Sequence, residues 1–387
     1  MQTVPACALL LSALVLSTRS ANAQSGGFIA TLGNDTVHVE RFTLDNGVYR
    51  GRIVTRIPKT RVLDYTIALS PTGGIARYDV ATFDGNHQPL TTNGSAGSMA
   101  LSGDSLIRVS LRDGRMDTVR MAAPPMTVMG ASIPYVGTSY LAYEMAFAQM
   151  RARGDSSIYQ LTMIPQQAKP GAAKAWLVGS DSAELNYFNV ARSGYKFDAS
   201  GKLIRADWRN TTYRYRIERT SAPDVDAIAK RWTDADANGA SFGALSPRDT
   251  VKSTIGGSDI TLAYGRPAAR GRRVWGDVVN YGKVWRLGAD YATQITTTKD
   301  LRVGDADIPA GSYTLWMLLS ETGESKLIVN SAINIFGTQY NPAKDFTRIT
   351  LTRAPSAATE RLQLSAEGGA LSIRWGDAVW SAPIVAK

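Results

Sequence analysis

Alternation of apolar and polar residues, interrupted at short intervals by two-residue turn signals, constrains this chain more than any other feature. In residues 35–44, Val37 and Val39 alternate with His38 and Glu40. Asn46-Gly47 follows, and Asp113-Gly114 separates the alternating segments 106–111 and 116–121. Both central residues of a type I′ hairpin turn need positive φ, which Asn-Gly and Asp-Gly supply readily. Period 2 with tight turns specifies antiparallel strands with one face on a core and the other in water. Further strands are expected at 48–57, 61–69 and 75–83. The stretch 86–98, rich in Gly, Ser, Thr and Asn, reads as an exposed loop.

Two segments change period. Tyr140, Leu141, Tyr143, Phe147 and Met150 recur at helical spacing after a capping Thr138 or Ser139, and Gly154 stops them. Strands then resume at 158–164, 175–178, 186–191, 202–208 and 213–220. A second helix opens at Ser221 and Pro223, with Val225, Ile228, Ala229 and Trp232 on one face, and ends at Asn238-Gly239. Asp234-x-Asp236-x-Asn238-Gly239 has the opening spacing of a calcium loop. Its twelfth position is Leu245 where Glu should close the shell, so a glycine-capped helix end is the better reading. Beyond residue 247 short strands return every 8–12 residues, the rhythm of a sandwich. The expected fold is mainly β: an N-terminal curved antiparallel sheet or half-barrel with a helix over 24–221, a helix and linker over 222–246, and an antiparallel β-sandwich over 247–387.

Residues 6–16 form an apolar run of 11, followed by Ala21-Asn22-Ala23. The run is too short to span a bilayer but suits the core of a signal peptide, with a small-x-small cleavage site behind it. A buried N-terminal helix is the competing reading. On the first reading residues 1–23 are removed after Ala23, the mature chain begins at Gln24, and the protein is periplasmic or extracellular. No later stretch reaches about 18 consecutive apolar residues, so no transmembrane span is expected.

The composition excludes several chemistries. One Cys and two His stand among 387 residues. A cysteine-ligated zinc site and a disulfide framework are out of reach, and Cys7 leaves with the leader. His38 and His87 are too far apart for HExxH. There is no GxSxG and no GxxxxGK[ST] phosphate loop, so no catalytic residue is assigned and neither metal nor cofactor is expected. Paired carboxylates for glycoside hydrolysis stay open, with Asp277, Asp290, Asp345 and Asp377 as candidates. The net charge is +10, one of it from Arg19 in the leader-like stretch, and the remaining +9 is spread evenly, +5 over 24–243 and +4 over 244–387. A nucleic-acid binder would concentrate it more, so no nucleic-acid partner is expected.

The densest chemical patch is 264–286, where Arg266, Arg270, Arg272, Arg273, Lys283 and Arg286 lie among Tyr264, Trp275, Tyr281 and Trp285. Guanidinium forks match carboxylate or phosphate, and indole faces stack on sugars or on arginine. Arg266, Arg270, Trp275, Trp285 and Arg286 are therefore candidates for an anion or glycan pocket. The alternative is a loop pinned by arginine contacts with its tryptophans in the core.

The order Ser246-Pro247-Arg248, Tyr264-Gly265-Arg266-Pro267, Trp275-Gly276, Tyr281-Gly282-Lys283-Val284-Trp285-Arg286 and Ile308-Pro309-Ala310-Gly311-Ser312-Tyr313 resembles a bacterial family catalogued as domain of unknown function 2911, over about 247–384. The chain departs from the family pattern at Leu287, Asp290 and Phe336, where Thr, Asn and Trp are usual. The resemblance implies an exported β-rich domain and brings no activity with it. Two functions compete. One is a non-catalytic, ligand-binding or envelope-associated protein with an anionic, glycan or lipid ligand. The other is a metal-independent hydrolase or lyase acting on an envelope polymer or glycan.

Overall fold

The computed structural model describes residues 24–71, 73–122, 127–128, 132–133, 137–152, 158–160, 173–187, 191–209 and 214–387. The leader read at 1–23 and the helix stop at Gly154 lie outside them. Fifteen strands make one open sheet. From the edge strand Arg115–Ala122 it runs back through Ser105–Arg112, Ala96–Ser102, Ile75–Asp84, Arg61–Leu69, Val48–Thr55 and Asp35–Asp45 to Gln24–Leu32. It continues through Arg216–Thr220, Leu203–Asp207, Ala191–Phe197, Ser182–Tyr187, Ala173–Val178 and Ile158–Gln160 to Thr127–Val128. All pairings are antiparallel except the last. Asn46-Gly47 and Asp113-Gly114 close two-residue hairpins with positive φ at all four residues, as their chemistry demands.

The helix α1 (Tyr140–Ala152) lies in the curve of this sheet. Ser139 Oγ caps it by accepting the Ala142 N–H at 3.1 Å. Its rings reach the middle of the sheet and both flanks: Tyr140 meets Phe28 and His38, and Phe147 meets Tyr195 and Phe197. Glu144 on the same helix pairs with Arg219 and accepts the Leu203 N–H at 2.6 Å. The result is a half-barrel wrapped on a helix.

The wet face expected of strand Asp35–Asp45 is absent at its centre, because helices cover both sides. His38 and Glu40 turn toward α1. Val39 turns the other way and packs with Val54 and Val62 under α2 (Val225–Ala237), against Val225, Ala229 and Trp232. α2 is capped by Asp224, whose carboxylate accepts the Ala227 N–H, and ends with Gly239 at φ 76°. The acids of its calcium-like run are occupied, Asp234 by Lys230 and Asp236 by the Thr60 N–H at 2.7 Å.

Several strands depart from the sequence expectation, among them short ones at Leu301–Val303 and Ala306–Ile308. Ala96–Ser102 lies partly inside the stretch read as a loop, and its Gly97 and Ser98 are buried. The single strand expected at 186–191 is two strands, Ser182–Tyr187 and Ala191–Phe197. Arg248–Ile255 adds an unforeseen edge strand.

Strands of 248–386 form two separate sheets of seven and four strands. Between them lies a core that includes Leu262, Leu315, Met317 and Val329 from one sheet and Leu364, Ile373, Trp375 and Ile384 from the other. This is the antiparallel sandwich. The two β regions touch where the hairpin turn Gly33-Asn34 abuts Arg270-Gly271. The Asn34 N–H donates to the Arg270 carbonyl at 3.0 Å. A Cβ on Gly33 would fall 1.9 Å from that same oxygen, and Gly33 also has φ 61°, so only glycine fits this contact. Among the described residues no helix is long and apolar enough to cross a membrane.

Candidate functional site

The structure does not gather the five sequence candidates into one depression. Trp275 and Trp285 stand at the sandwich core. Trp275 is 5% exposed and meets Trp285 and Trp380 edge to face. Trp285 is half-buried and stacks on Trp375 with ring centroids 5.9 Å apart. Their indole N–H groups donate to the carbonyls of Trp375 and Gly288 at 3.0 and 3.1 Å. Buried indoles with satisfied N–H groups are packing elements.

The three arginines go to three places. Arg270 crosses to the other β region, pairs with Asp35 at 2.8 Å and lies 4.0 Å over the Phe242 ring. Phe242 carries Arg56 as well, at 4.9 Å, so the linker ring is held between two guanidinium groups. Arg286 stays within the sandwich, its stem against Gly337 and its Nε sealed without a hydrogen bond. Arg266 pairs with Asp249 at 3.0 Å and donates to the Leu362 carbonyl at 3.2 Å.

Arg266 also lines a groove of about 340 Å³ on the sandwich. The groove is shared by Asp249, Tyr264, Gln363, Ser365, Glu367, Ser372 and Arg374. Strands Thr352–Glu367 and Ala370–Ala386 form a hairpin in which Gln363 faces Arg374 and Ser365 faces Ser372. Side chains two apart share a face, so Gln363, Ser365 and Glu367 make one polar row and Ser372 and Arg374 the next. Alternation in 361–374 carried this signal in the sequence. The groove holds two carboxylates, Asp249 and Glu367, where sequence reading offered Asp277, Asp290, Asp345 and Asp377, none of which lines it. Asp345 is occupied by Asn330, Tyr340 and Arg348. Among the described residues no three His, Cys, Asp or Glu side chains are grouped as for a metal ion.

A second polar cluster lies under α1. Glu40 is fully buried and accepts from Tyr65 Oη at 2.5 Å, Ser139 Oγ at 2.7 Å and the Tyr140 N–H at 2.7 Å. Its carboxylate sits at the helix N-terminus, where the aligned peptide dipoles favour negative charge. Burial nonetheless raises its carboxyl to about 7, against those hydrogen bonds. His38, two residues earlier on the same face, has its ring edge-on to Tyr140 at 4.8 Å, and its Nε2 is buried without a hydrogen bond. Burial lowers the imidazole to about 3. The alternation of residues 35–44 puts His38 on the wet face of its strand. Its place against α1 is fixed by packing that the strand pattern does not reveal.

No curated protein matches the chain. Among solved structures, a protein from Nitrosomonas europaea provisionally assigned as AttH matches at 10% identity over 93% of this chain and 91% of its own, with a TM-score of 0.11, too slight a likeness to carry an argument. Residues 246–384, which hold the β-sandwich and its groove, match the family described as a protein of unknown function, DUF2911.

Proposed function

We propose that this is an exported, non-catalytic binding protein of the bacterial envelope, and that its sandwich groove takes a hydroxyl-rich ligand of the glycan class. The groove carries the reading. Asp249 and Glu367, Arg266 and Arg374, Ser365, Ser372 and Gln363 line one cavity, so acceptors and donors of both signs face the same space. Sugars present many weak donors and acceptors and little charge, and such a mixed lining satisfies them. The leader-like run at 6–16 supports export. The apolar-ligand alternative is less favoured, because Tyr140, Tyr143, Phe147 and Met150 of α1 themselves fill the curve of the large sheet.

The test is thermal stabilisation by envelope polysaccharide and peptidoglycan fragments. Arg374→Ala and Glu367→Gln should weaken that response and leave the melting temperature of the free protein unchanged, because both residues are exposed. No stabilisation by any fragment removes the proposal. The hydrolase reading rests on the two groove carboxylates. Release of reducing ends that disappears in Glu367→Gln would replace binding with catalysis. Export is checked by the N-terminus of the secreted or periplasmic protein, expected at Gln24.

A further inference from the structure

The edge strand Arg248–Ile255 serves two surfaces with its first two residues. Successive side chains of a strand point to opposite sides. Asp249 lines the groove, and Arg248 points to the outer side of the seven-stranded sheet, where its guanidinium lies 6.0 Å from the centroid of the Tyr291 ring. The loop that carries Tyr291 crosses over Gly265, the register partner of Arg248. A Cβ on Gly265 would fall 2.4 Å from the Ala289 carbonyl oxygen, so the crossing needs glycine there.

Tyr291 is held at the surface by the backbone. It is 51% exposed, and among the described residues its hydroxyl makes no hydrogen bond. Its ring meets Phe336 edge to face with centroids 5.6 Å apart, and the two residues form a backbone bridge. On either side of the bridge the Ala292 N–H donates to the Ile335 carbonyl at 3.1 Å, and the Gly337 N–H donates to the Asp290 carbonyl at 2.8 Å. The Gln339 side chain accepts the Phe336 N–H at 2.7 Å. The core under this loop is made without Tyr291, because its neighbour Ala292 packs with Trp316 and Ile328. A ring fixed in the open gives up little entropy when a partner stacks on it.

Beyond the rings the outer face is flat and polar. Lys252, Thr261, Thr296 and Ser312 lie opposite one another across four strands, and the Thr296 and Ser312 hydroxyls bond at 2.9 Å. Thr250, Ala263 and Gln294 form the row between these and Arg248. Hydroxyls beside exposed rings match the two aspects of a sugar, its polar edge and its apolar CH face.

We propose that Tyr291 and Phe336, with this outer face, hold further sugars of the chain seated in the groove, so that the ligand is a long polymeric glycan crossing the sandwich edge at Arg248-Asp249. This inference rests on the groove reading and adds a length requirement to it. Arg248–Ile255 is the end strand of its sheet, so no further strand of that sheet stands in the path. A chain seated on one side of a single strand is presented to the other side at high effective concentration, and the two contacts multiply.

The test is titration calorimetry of the full chain with envelope polysaccharide and peptidoglycan glycan strands, each supplied as long chains and as disaccharide fragments. Compared per disaccharide unit, long chains should bind at least about tenfold more tightly. Tyr291→Ala should bring long chains down toward the fragments while fragment binding to the groove persists, which also shows that the variant folds. Tyr291→Phe should keep the long-chain gain, because the ring makes the contact and the hydroxyl does not. Glu367→Gln in the groove should weaken both lengths. The inference alone fails if fragments and long chains bind equally, or if Tyr291→Ala leaves the long-chain gain intact. If neither length binds, the groove reading fails and this one falls with it.

Discussion

Glu40 and Arg286 are both ionisable side chains drawn back from water, Glu40 wholly and Arg286 in part, and the two β regions treat them differently. Under α1, Glu40 meets Tyr65, Ser139 and the Tyr140 N–H, so its acceptor capacity is well used. On the sandwich, the Arg286 guanidinium meets no hydrogen-bond partner among the described residues, and its Nε is sealed. A buried polar group that the fold satisfies is part of the architecture. One that the fold leaves unsatisfied is a cost, borne more easily where water still reaches part of the group. The contrast identifies structural polar residues more sharply than the density of arginines and tryptophans in the sequence.

The largest effect should fall on the satisfied side. Glu40→Ala leaves two hydroxyls and a helix-end N–H buried without an acceptor, and should cost about 3–5 kcal/mol in urea unfolding. A loss under about 1 kcal/mol would mean that water replaces the carboxylate, and Glu40 would cease to be a structural reference. Trp275→Ala should cost about 3–4 kcal/mol, as large core truncations do, and Trp285→Ala less because its ring is half-buried.

Next in size is a pH effect with two opposing parts. Glu40 keeps its proton up to about 7 in the fold against 4.5 unfolded, so its contribution to stability is complete below 4.5 and is lost as pH rises through 7. His38 stays neutral to about 3 in the fold against 6.5 unfolded, so its contribution is complete above 6.5 and is lost as pH falls toward 3. Between pH 4.5 and 6.5 the two nearly cancel. Glu40→Gln should unmask His38, giving stability that falls on acidification by up to about 1.4 kcal/mol per pH unit. His38→Gln should unmask the opposite slope. Denaturation midpoints from pH 4.5 to 7 check both, and parallel curves for the two variants would refute the assignment. The smallest effect is Arg286→Gln, expected within about 1 kcal/mol of the parent because the side chain is only part-buried and its guanidinium makes no hydrogen bond among the described residues, where Glu40→Ala is strongly destabilising.

Much of the fold was legible because local chemistry determined it. Asn46-Gly47 and Asp113-Gly114 fixed hairpins, and Asn238-Gly239 ended α2. Ala96–Ser102 was not legible, because a strand made of Ala, Gly and Ser gains its place from the strands on either side and not from its own side chains. The burial of both faces at Val37–Glu40 was hidden because α1 and α2 arrive from more than a hundred residues away. The candidate site divides similarly. Arg266, Arg270 and Arg286 stood out by local density, but their separation depends on Asp249, on Asp35 and on the close approach of Gly337. Asp35 belongs to the other β region, beyond the reach of any spacing rule.

One feature of the large sheet bears on how such a chain is made. Strand Gln24–Leu32 is its middle, with seven strands on either side, paired to Asp35–Asp45 on one flank and to Arg216–Thr220 on the other. The first described residues to leave a ribosome or a translocation channel therefore wait for residue 220 before their second edge is covered. Until then the left flank can grow hairpin by hairpin, while the central strand presents an open row of N–H and C=O groups to any other extended chain. Slow synthesis or crowding exposes that edge longer, so yield and aggregation should track the time between residues 32 and 220 more closely than the stability of the finished fold.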